Sequence, residues 1–201
     1  MYINFWYPVI LSEELKDEPV KVRMLGQNFV TFRDSKGAPK TLSDTCVHRG
    51  GSLSGGVVRG DCIQCPYHGW RFDGEGECKR IPSLGKDAKI PKRTRIDAYP
   101  TEEKYGIVFA FLGDLEKSKR PPIMPIAELD DEEGWRANWL NYEAKINFER
   151  SIENGLDAAH NEFVHPTHGH EGEDDDYKVG DLKFVDNMFG PKKWGFILAC
   201  V

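Results

Sequence analysis

The chain reads Cys46-Val47-His48-Arg49-Gly50 and, further on, Cys65-Pro66-Tyr67-His68-Gly69-Trp70. Each stretch carries one Cys/His pair, spaced by one residue in the first and by two in the second. Each can therefore turn both side chains to one side. A 2Fe–2S cluster with thiolates on one iron and neutral imidazoles on the other uses this donor set. Imidazole is uncharged where thiolate is charged, so the reduced state is less disfavoured and the potential rises. Gly50, Gly51 and Gly69 let the backbone curl round the sulfurs with its N–H groups pointing inward. Zinc takes the same four donors, but its fingers pair Cys with Cys on one knuckle and His with His on a helix. Mixed pairs on two Gly-rich stretches favour the cluster.

Outward from this stretch, short apolar runs alternate with turn residues. Asn4 to Ile10 reads as an edge strand interrupted by Pro8. Val20–Leu25 and Phe29–Arg33 read as a hairpin joined through Gly26-Gln27-Asn28. Asp34 to Gly37 is a turn, and Thr41–Ser43 and Asp61–Gln64 are short strands. Arg71 to Cys78 reads as strand, tight turn, strand, and Tyr105–Leu112 as a buried strand. Strands this short and this frequent predict a small antiparallel β domain. Charge and three prolines from Glu116 to Pro125 mark a linker, placing a boundary near residue 118. Trp135–Ile146 then reads as a strand entering a second domain.

Asn147 to Phe163 has helical periodicity, with Phe148, Ile152, Leu156 and Ala159 as an apolar stripe. Asn154, Asp157 and His160 stack along another face. His165 precedes Pro166, where a helix ends and the chain can turn back, so His160 and His165 can converge on one metal. Two imidazoles and a carboxylate with open positions suit non-haem Fe(II) and O₂ chemistry. Asp157 is placed either near that site or as a hydrogen-bond partner orienting an imidazole. His168 and His170 read as loop or surface histidines.

The 201 residues suffice for one large domain or two small ones, with 39% hydrophobic and 30% charged content as in globular chains. No apolar run nears the roughly 20 residues that cross a bilayer, and the first residues lack the pattern of a secretory signal. Net charge is −6 and uneven: residues 1–115 hold 17 basic against 15 acidic side chains, residues 116–201 hold 10 against 18. That acidic excess argues against a nucleic-acid partner. Beyond Cys46 and Cys65, the remaining Cys62, Cys78 and Cys200 have no framework spacing, which points to a reducing, cytoplasmic setting.

The order Cys46-x-His48, Cys65-x-x-His68 and Asn154-x-x-Asp157-x-x-His160-x-x-x-x-His165 resembles the catalytic α subunit of Rieske non-haem iron oxygenases. Phe5-Trp6-Tyr7-Pro8-Val9 and Gln64 to Gly74 resemble the branch without a β subunit, which includes carbazole and phenoxybenzoate oxygenases. The resemblance implies an α+β fold. Residues 1–118 would form an antiparallel β Rieske domain, and residues 119–201 the start of a helix-grip-like α+β catalytic domain. It implies a Rieske 2Fe–2S cluster on Cys46, His48, Cys65 and His68 and mononuclear Fe(II) on His160 and His165. Asp157 would bridge to a cluster histidine of a neighbouring subunit, with Asn154 in support, in a head-to-tail homotrimer. Partners would be a ferredoxin or reductase electron donor, O₂ and a small organic substrate. High-potential relatives carry a disulfide between the positions that are Gly51 and Tyr67 here, which places this cluster with the low-potential type. The family's third iron ligand is a carboxylate further along. Trp194–Val201 reads as an unfinished strand, so the chain is expected to be truncated. Otherwise Glu162 or one of Glu171 to Asp176 would have to serve, although such acidic runs are usually solvated. The alternative is a Rieske-type electron carrier with an incomplete second domain.

Overall fold

The computed structural model describes residues 3–130, 134–142, 144–157, 159–165 and 176. The chain forms two compact units that divide between Ile123 and Met124. The divide falls beyond the expected residue 118. Trp6 Nε1 donates to the Pro121 carbonyl at 2.7 Å, and Ile123 is buried with Ile107 and Phe109. The start of the linker is thereby held by the first unit.

The first unit contains three antiparallel sheets. β1 (Phe5–Leu11), β11 (Ile107–Leu112) and β10 (Thr101–Lys104) form one, in that order. β2 (Val20–Met24), β3 (Gln27–Arg33), β4 (Pro39–Ser43) and β9 (Ala98–Tyr99) form the second. The third holds β5 (Val57–Arg59), β6 (Cys62–Gln64), β7 (Arg71–Asp73) and β8 (Cys78–Arg80). β1 is an edge strand, and its register slips between Pro8 and Ile10, where proline cannot donate to the ladder.

β3 and β11 are buried on both faces, so their neighbours along the chain feed different cores. Phe29 joins Val22, Val108 and Leu112, while Val30 and Phe32 join Leu42, Ile63, Phe72 and both motif cysteines. Thr31 and Thr41 are fully buried, and their hydroxyls pair at 3.1 Å across β3 and β4. Each buried oxygen thus meets a partner instead of an uncompensated desolvation cost.

The hairpin expected through Gly26-Gln27-Asn28 turns instead at Leu25-Gly26, and a second, unexpected hairpin precedes Ile107. Met24 pairs with Gln27 and Lys104 with Ile107, so the turns are Leu25-Gly26 and Tyr105-Gly106. All four residues have positive φ, the two-residue turn whose twist matches the strands. The strand expected from Tyr105 therefore begins at Ile107, and Gln27 and Asn28 belong to β3.

Arg33 fastens this unit. Its guanidinium donates to the carbonyls of Leu15, Ser12 and Gly37 and forks onto Glu103, at 2.7 and 3.3 Å. The hydrogen bonds from Arg33 hold the Glu103 carboxyl below its ordinary range. That stabilisation is complete above the free glutamate value of about 4.3 and fades as pH falls through the lower folded value. Arg33→Ala is expected to cost about 2 kcal/mol at neutral pH. Urea denaturation across the acid range is expected to show a flatter acid limb in the variant.

The second unit, among the described residues, holds short α1 (Ala127–Asp130), α2 (Phe148–Leu156) and α3 (Asn161–Val164). The strand expected at Trp135–Ile146 is not formed by its described residues, which are irregular and exposed; the Ile146 amide donates to the Ala144 carbonyl at 2.9 Å. The single helix expected to Phe163 breaks in two. Asn147 caps α2 by accepting from the amides of Glu149 and Arg150. At its end Asp157 turns extended, and its Oδ1 accepts from the Ala159 amide at 2.9 Å. An Asp side chain that captures a nearby N–H competes with the helix ladder. The apolar stripe Phe148, Ile152 and Leu156 is exposed. No described helix is long and apolar enough to cross a membrane.

Candidate metal centres

Two loops of the first unit present the motif residues, and they are built alike. The first follows β4, the second joins β6 to β7. In each, the Cys carbonyl accepts from the glycine four residues on: Gly50 N to Cys46 O at 2.9 Å, Gly69 N to Cys65 O at 3.0 Å. In each, the Cys amide donates to the carbonyl five residues on, Gly51 at 2.9 Å and Trp70 at 2.8 Å. Both Gly50 and Gly69 sit at φ near +70°, a conformation that disfavours side chains. The shared signal was Cys-x-x-x-Gly, present in both stretches. Gly51 plays another part: a Cβ there would lie 3.1 Å from Cys65 Sγ.

The thiols lie inside and the imidazoles outside. Cys46 and Cys65 are each 2% exposed, and they interact directly. The His48 and His68 rings meet edge to face at 4.5 Å, and His48 stacks flat on Trp70 at 4.4 Å. His68 is exposed on the surface. Burial pushes the Cys46 thiol up to about 11, with the amides of His48 and Arg49 opposing and Cys65 adding to the rise. A metal cation that binds such a thiol displaces its proton, which leaves to solvent. Burial, then His68 and Arg49, lower the pKa of His48, which keeps its imidazole neutral as a ligand must be.

These residues fit a 2Fe–2S cluster. His48 Nδ1 is buried without a hydrogen-bond partner, and a metal bond would satisfy it. Among the described residues no three His, Cys, Asp or Glu side chains converge on a point where one metal ion could sit.

Asp44, missed in the sequence, holds the first loop shut. It is 3% exposed, and its carboxylate accepts from Ser52 Oγ at 2.5 Å, Ser54 N at 2.6 Å and Ser54 Oγ at 3.1 Å. Lys21 Nζ stands 3.6 Å away. An acid before Cys46 with Ser-x-Ser after the glycines was the available signal.

The loops also approach at Gly51 and Tyr67, where a Cβ on Gly51 would lie 3.4 Å from Tyr67 Cβ. Disulfides span about 3.5–4.5 Å between Cβ atoms. The double variant Gly51→Cys/Tyr67→Cys is expected to form that bridge on oxidation, read as two fewer thiols by thiol titration. Two reactive thiols persisting after oxidation would show that the loops stand further apart.

In the second unit, the His160 and His165 rings lie 5.3 Å apart, inclined at 65°. Asp157 Oδ2 is 3.4 Å from His160 Nδ1, yet that nitrogen is buried without an aligned hydrogen bond. Asn154 is exposed on α2, where its carbonyl accepts from the Asp157 amide. Two rings this close, one with an unsatisfied nitrogen, fit a metal pair. No third ligand is described beside them. The Glu162 side chain, His168, His170, residues 171–175 and the strand expected at Trp194–Val201 lie outside the described residues; Asp176 is exposed.

A β domain with two matched Cys/His loops defines an iron–sulfur electron-transfer unit. The family model of the Rieske [2Fe-2S] domain matches residues 5–100. The chain is 37% identical to the 4beta-methylsterol monooxygenase of Methylococcus capsulatus over 164 residues, 81% of this chain and 44% of that protein. It is 43% identical to phenoxybenzoate dioxygenase subunit alpha of Ectopseudomonas oleovorans, over 65% of this chain and 32% of that one. The structure of Pseudomonas putida CBB5 NdmA with caffeine matches with a TM-score of 0.72 and 30% identity, over 81% of this chain and 48% of that one. The chain belongs to the Rieske-type oxygenases, and it spans less than half the length of these relatives.

Proposed function

We propose that this chain is part of a terminal oxygenase that takes electrons from a ferredoxin or reductase and directs O₂-derived oxygen into a small organic substrate. The observation that carries the reading is the pair of matched loops, with thiols buried, imidazoles outward and the His48 Nδ1 unpartnered. When bound, a cluster at Cys46, His48, Cys65 and His68 supplies one-electron transfer, and Fe(II) at His160 and His165 supplies O₂ activation. The protein's own part is positional. Trp70 fixes the plane of His48 by stacking, and the loop amides close each turn round its cysteine. Asp157, half exposed, stands 3.4 Å from His160 Nδ1 without an aligned hydrogen bond, within reach of that imidazole and of solvent. In a head-to-tail homotrimer it would meet a cluster histidine of the next subunit. Domains of 1–118 and 119–201, adjusted to the divide after Ile123, would then separate electron entry from chemistry.

Relatives named for methylsterol, phenoxybenzoate and 3-chlorobenzoate support an aromatic or cyclic substrate, although one is named for tert-butanol. Cys62 and Cys78 are free thiols and the cluster needs two more, which suits a reducing cytoplasm. The test is electron paramagnetic resonance of the reduced, iron-reconstituted chain, with iron counting. A rhombic Rieske signal with about three irons per chain supports the oxygenase. The same signal with about two supports the electron carrier, and no signal removes both.

A further inference from the structure

We infer that the loop from Lys79 to Arg95 is a basic docking rim for an acidic electron-donor protein, set beside the imidazole face of the Rieske loops. This rests on the proposed electron entry and names the surface that serves it. The segment holds seven basic residues and one acid in a chain of net charge −6. Lys79 is committed to Asp73 and Glu77, and Arg95 donates to the Glu75 carbonyl. Arg80, Lys86, Lys89, Lys92 and Arg93 are exposed. None of these five has an ion pair among the described residues, so their charge is free to meet a partner's.

The segment is anchored against the cluster loops. Ile81 is buried, and Ile90 packs, in the core that contains Cys46 and Cys65. Pro82 Cγ lies 3.1 Å from where a Gly69 Cβ would be, one residue beyond His68. The rim therefore borders the ring through which an electron would enter. Exposed apolar side chains stand on both cluster loops and on the segment itself, Val47 at 50%, Tyr67 at 64% and Leu84 at 54%, and the Tyr67 ring lies 3.9 Å from that of His68. A small apolar centre with a charged rim is the pattern of a transient protein interface. The apolar centre excludes water at the transfer point, and the rim steers approach and sets specificity. The occupant is acidic because the segment is basic, and it is a redox protein because the segment abuts the loop that carries His68. One electron leaves the reduced donor, which is oxidised, and one ferric iron of the cluster becomes ferrous; no bond forms or breaks.

The test measures calorimetric binding of an acidic plant-type 2Fe–2S ferredoxin to the cluster-loaded chain, with stopped-flow reduction alongside. Raising ionic strength from about 0.1 M to about 1 M shortens the screening length from about 10 Å to about 3 Å and is expected to weaken binding tenfold or more. Lys86→Glu/Lys89→Glu/Lys92→Glu is expected to weaken binding by about tenfold or more at low salt and to flatten the salt dependence. Its Rieske signal, and its reduction by photoreduced neutral riboflavin, are expected to stay unchanged. Should the triple Glu variant lose its signal, the triple Gln variant is measured instead, with the same direction expected. Wild-type affinity in the variant overturns the docking rim. So does equal weakening by Lys16→Glu/Lys117→Glu/Lys119→Glu, which makes net charge the cause. A variant that changes oligomeric mass by light scattering yet binds ferredoxin normally overturns it too, since the face then joins copies of the chain. A wild-type chain without the rhombic signal removes the proposed function itself, and the docking with it.

Discussion

Asp44→Ala is expected to destabilise the chain by about 3–5 kcal/mol, the cost of breaking a buried charged hydrogen-bond network. The carboxylate is 3% exposed and holds three donors, two hydroxyls and one amide, that water cannot easily reach once alanine replaces it. Ser54 N, at 2.6 Å, loses the most, because a backbone N–H cannot turn away. Lys21 contributes little: it is half exposed and 3.6 Å distant, so it retreats into solvent. Lys21→Met is therefore expected to change stability by less than about 1 kcal/mol. Asp44→Asn retains the volume and one acceptor and falls between, at about 1–3 kcal/mol. Cys46 lies two residues on, so the Rieske signal per chain should fall with Asp44→Ala. The measurements are the urea midpoint at constant slope and the integrated paramagnetic signal. If Asp44→Ala stays within about 1 kcal/mol of wild type with a full signal, the loop is held by its backbone bonds alone.

The contrast between Asp44 and the Cys/His pairs explains what could be read in the chain. A ligand set is written in residue types and spacings, so Cys46, His48, Cys65 and His68 stand out in the bare chain of letters. Asp44 is one acid among 33, and its importance comes from burial, which tertiary packing decides. The β domain was legible because apolar residues alternate with turn signals, and β11 was legible as a buried run. The turns at Leu25-Gly26 and Tyr105-Gly106 were not, because Leu and Tyr disfavour positive φ locally. Cross-strand register overrode that preference in both hairpins. In the second unit the apolar period runs on through Leu156 and Ala159, which suggested one helix. The break is set by one hydrogen bond, from the Ala159 amide to the Asp157 carboxylate, that periodicity does not see. Trp135–Ile146 shows the reverse case. Its composition is strand-like, yet its described residues join no described sheet, and a lone strand is not stable without neighbouring strands.

Gly55 and Gly56 are adjacent, and alanine is expected to have opposite effects at the two. A Cβ on Gly56 would lie 1.9 Å from the Gln64 carbonyl oxygen and 3.0 Å from the oxygen of Leu53. Both obstacles are backbone, so no rotamer change relieves them. Val57 pairs with Gln64, and Gln64 precedes Cys65. Room for the methyl must come from pushing β6 off β5, which carries the cysteine with it. Overpacking costs about 1–3 kcal/mol where side chains can yield; against backbone, Gly56→Ala is expected to exceed about 3 kcal/mol. A Cβ on Gly55, by contrast, meets only Pro66 Cγ at 3.8 Å, an ordinary contact. Its φ is not positive, so alanine there removes freedom from the unfolded chain without strain. Gly55→Ala is expected to be neutral or to stabilise by up to about 1 kcal/mol. Thermal and urea unfolding of the two variants, with the Rieske signal of each, make the comparison. Equal stabilities would mean that β5 and β6 yield freely at Gln64, and that the second loop does not depend on their spacing.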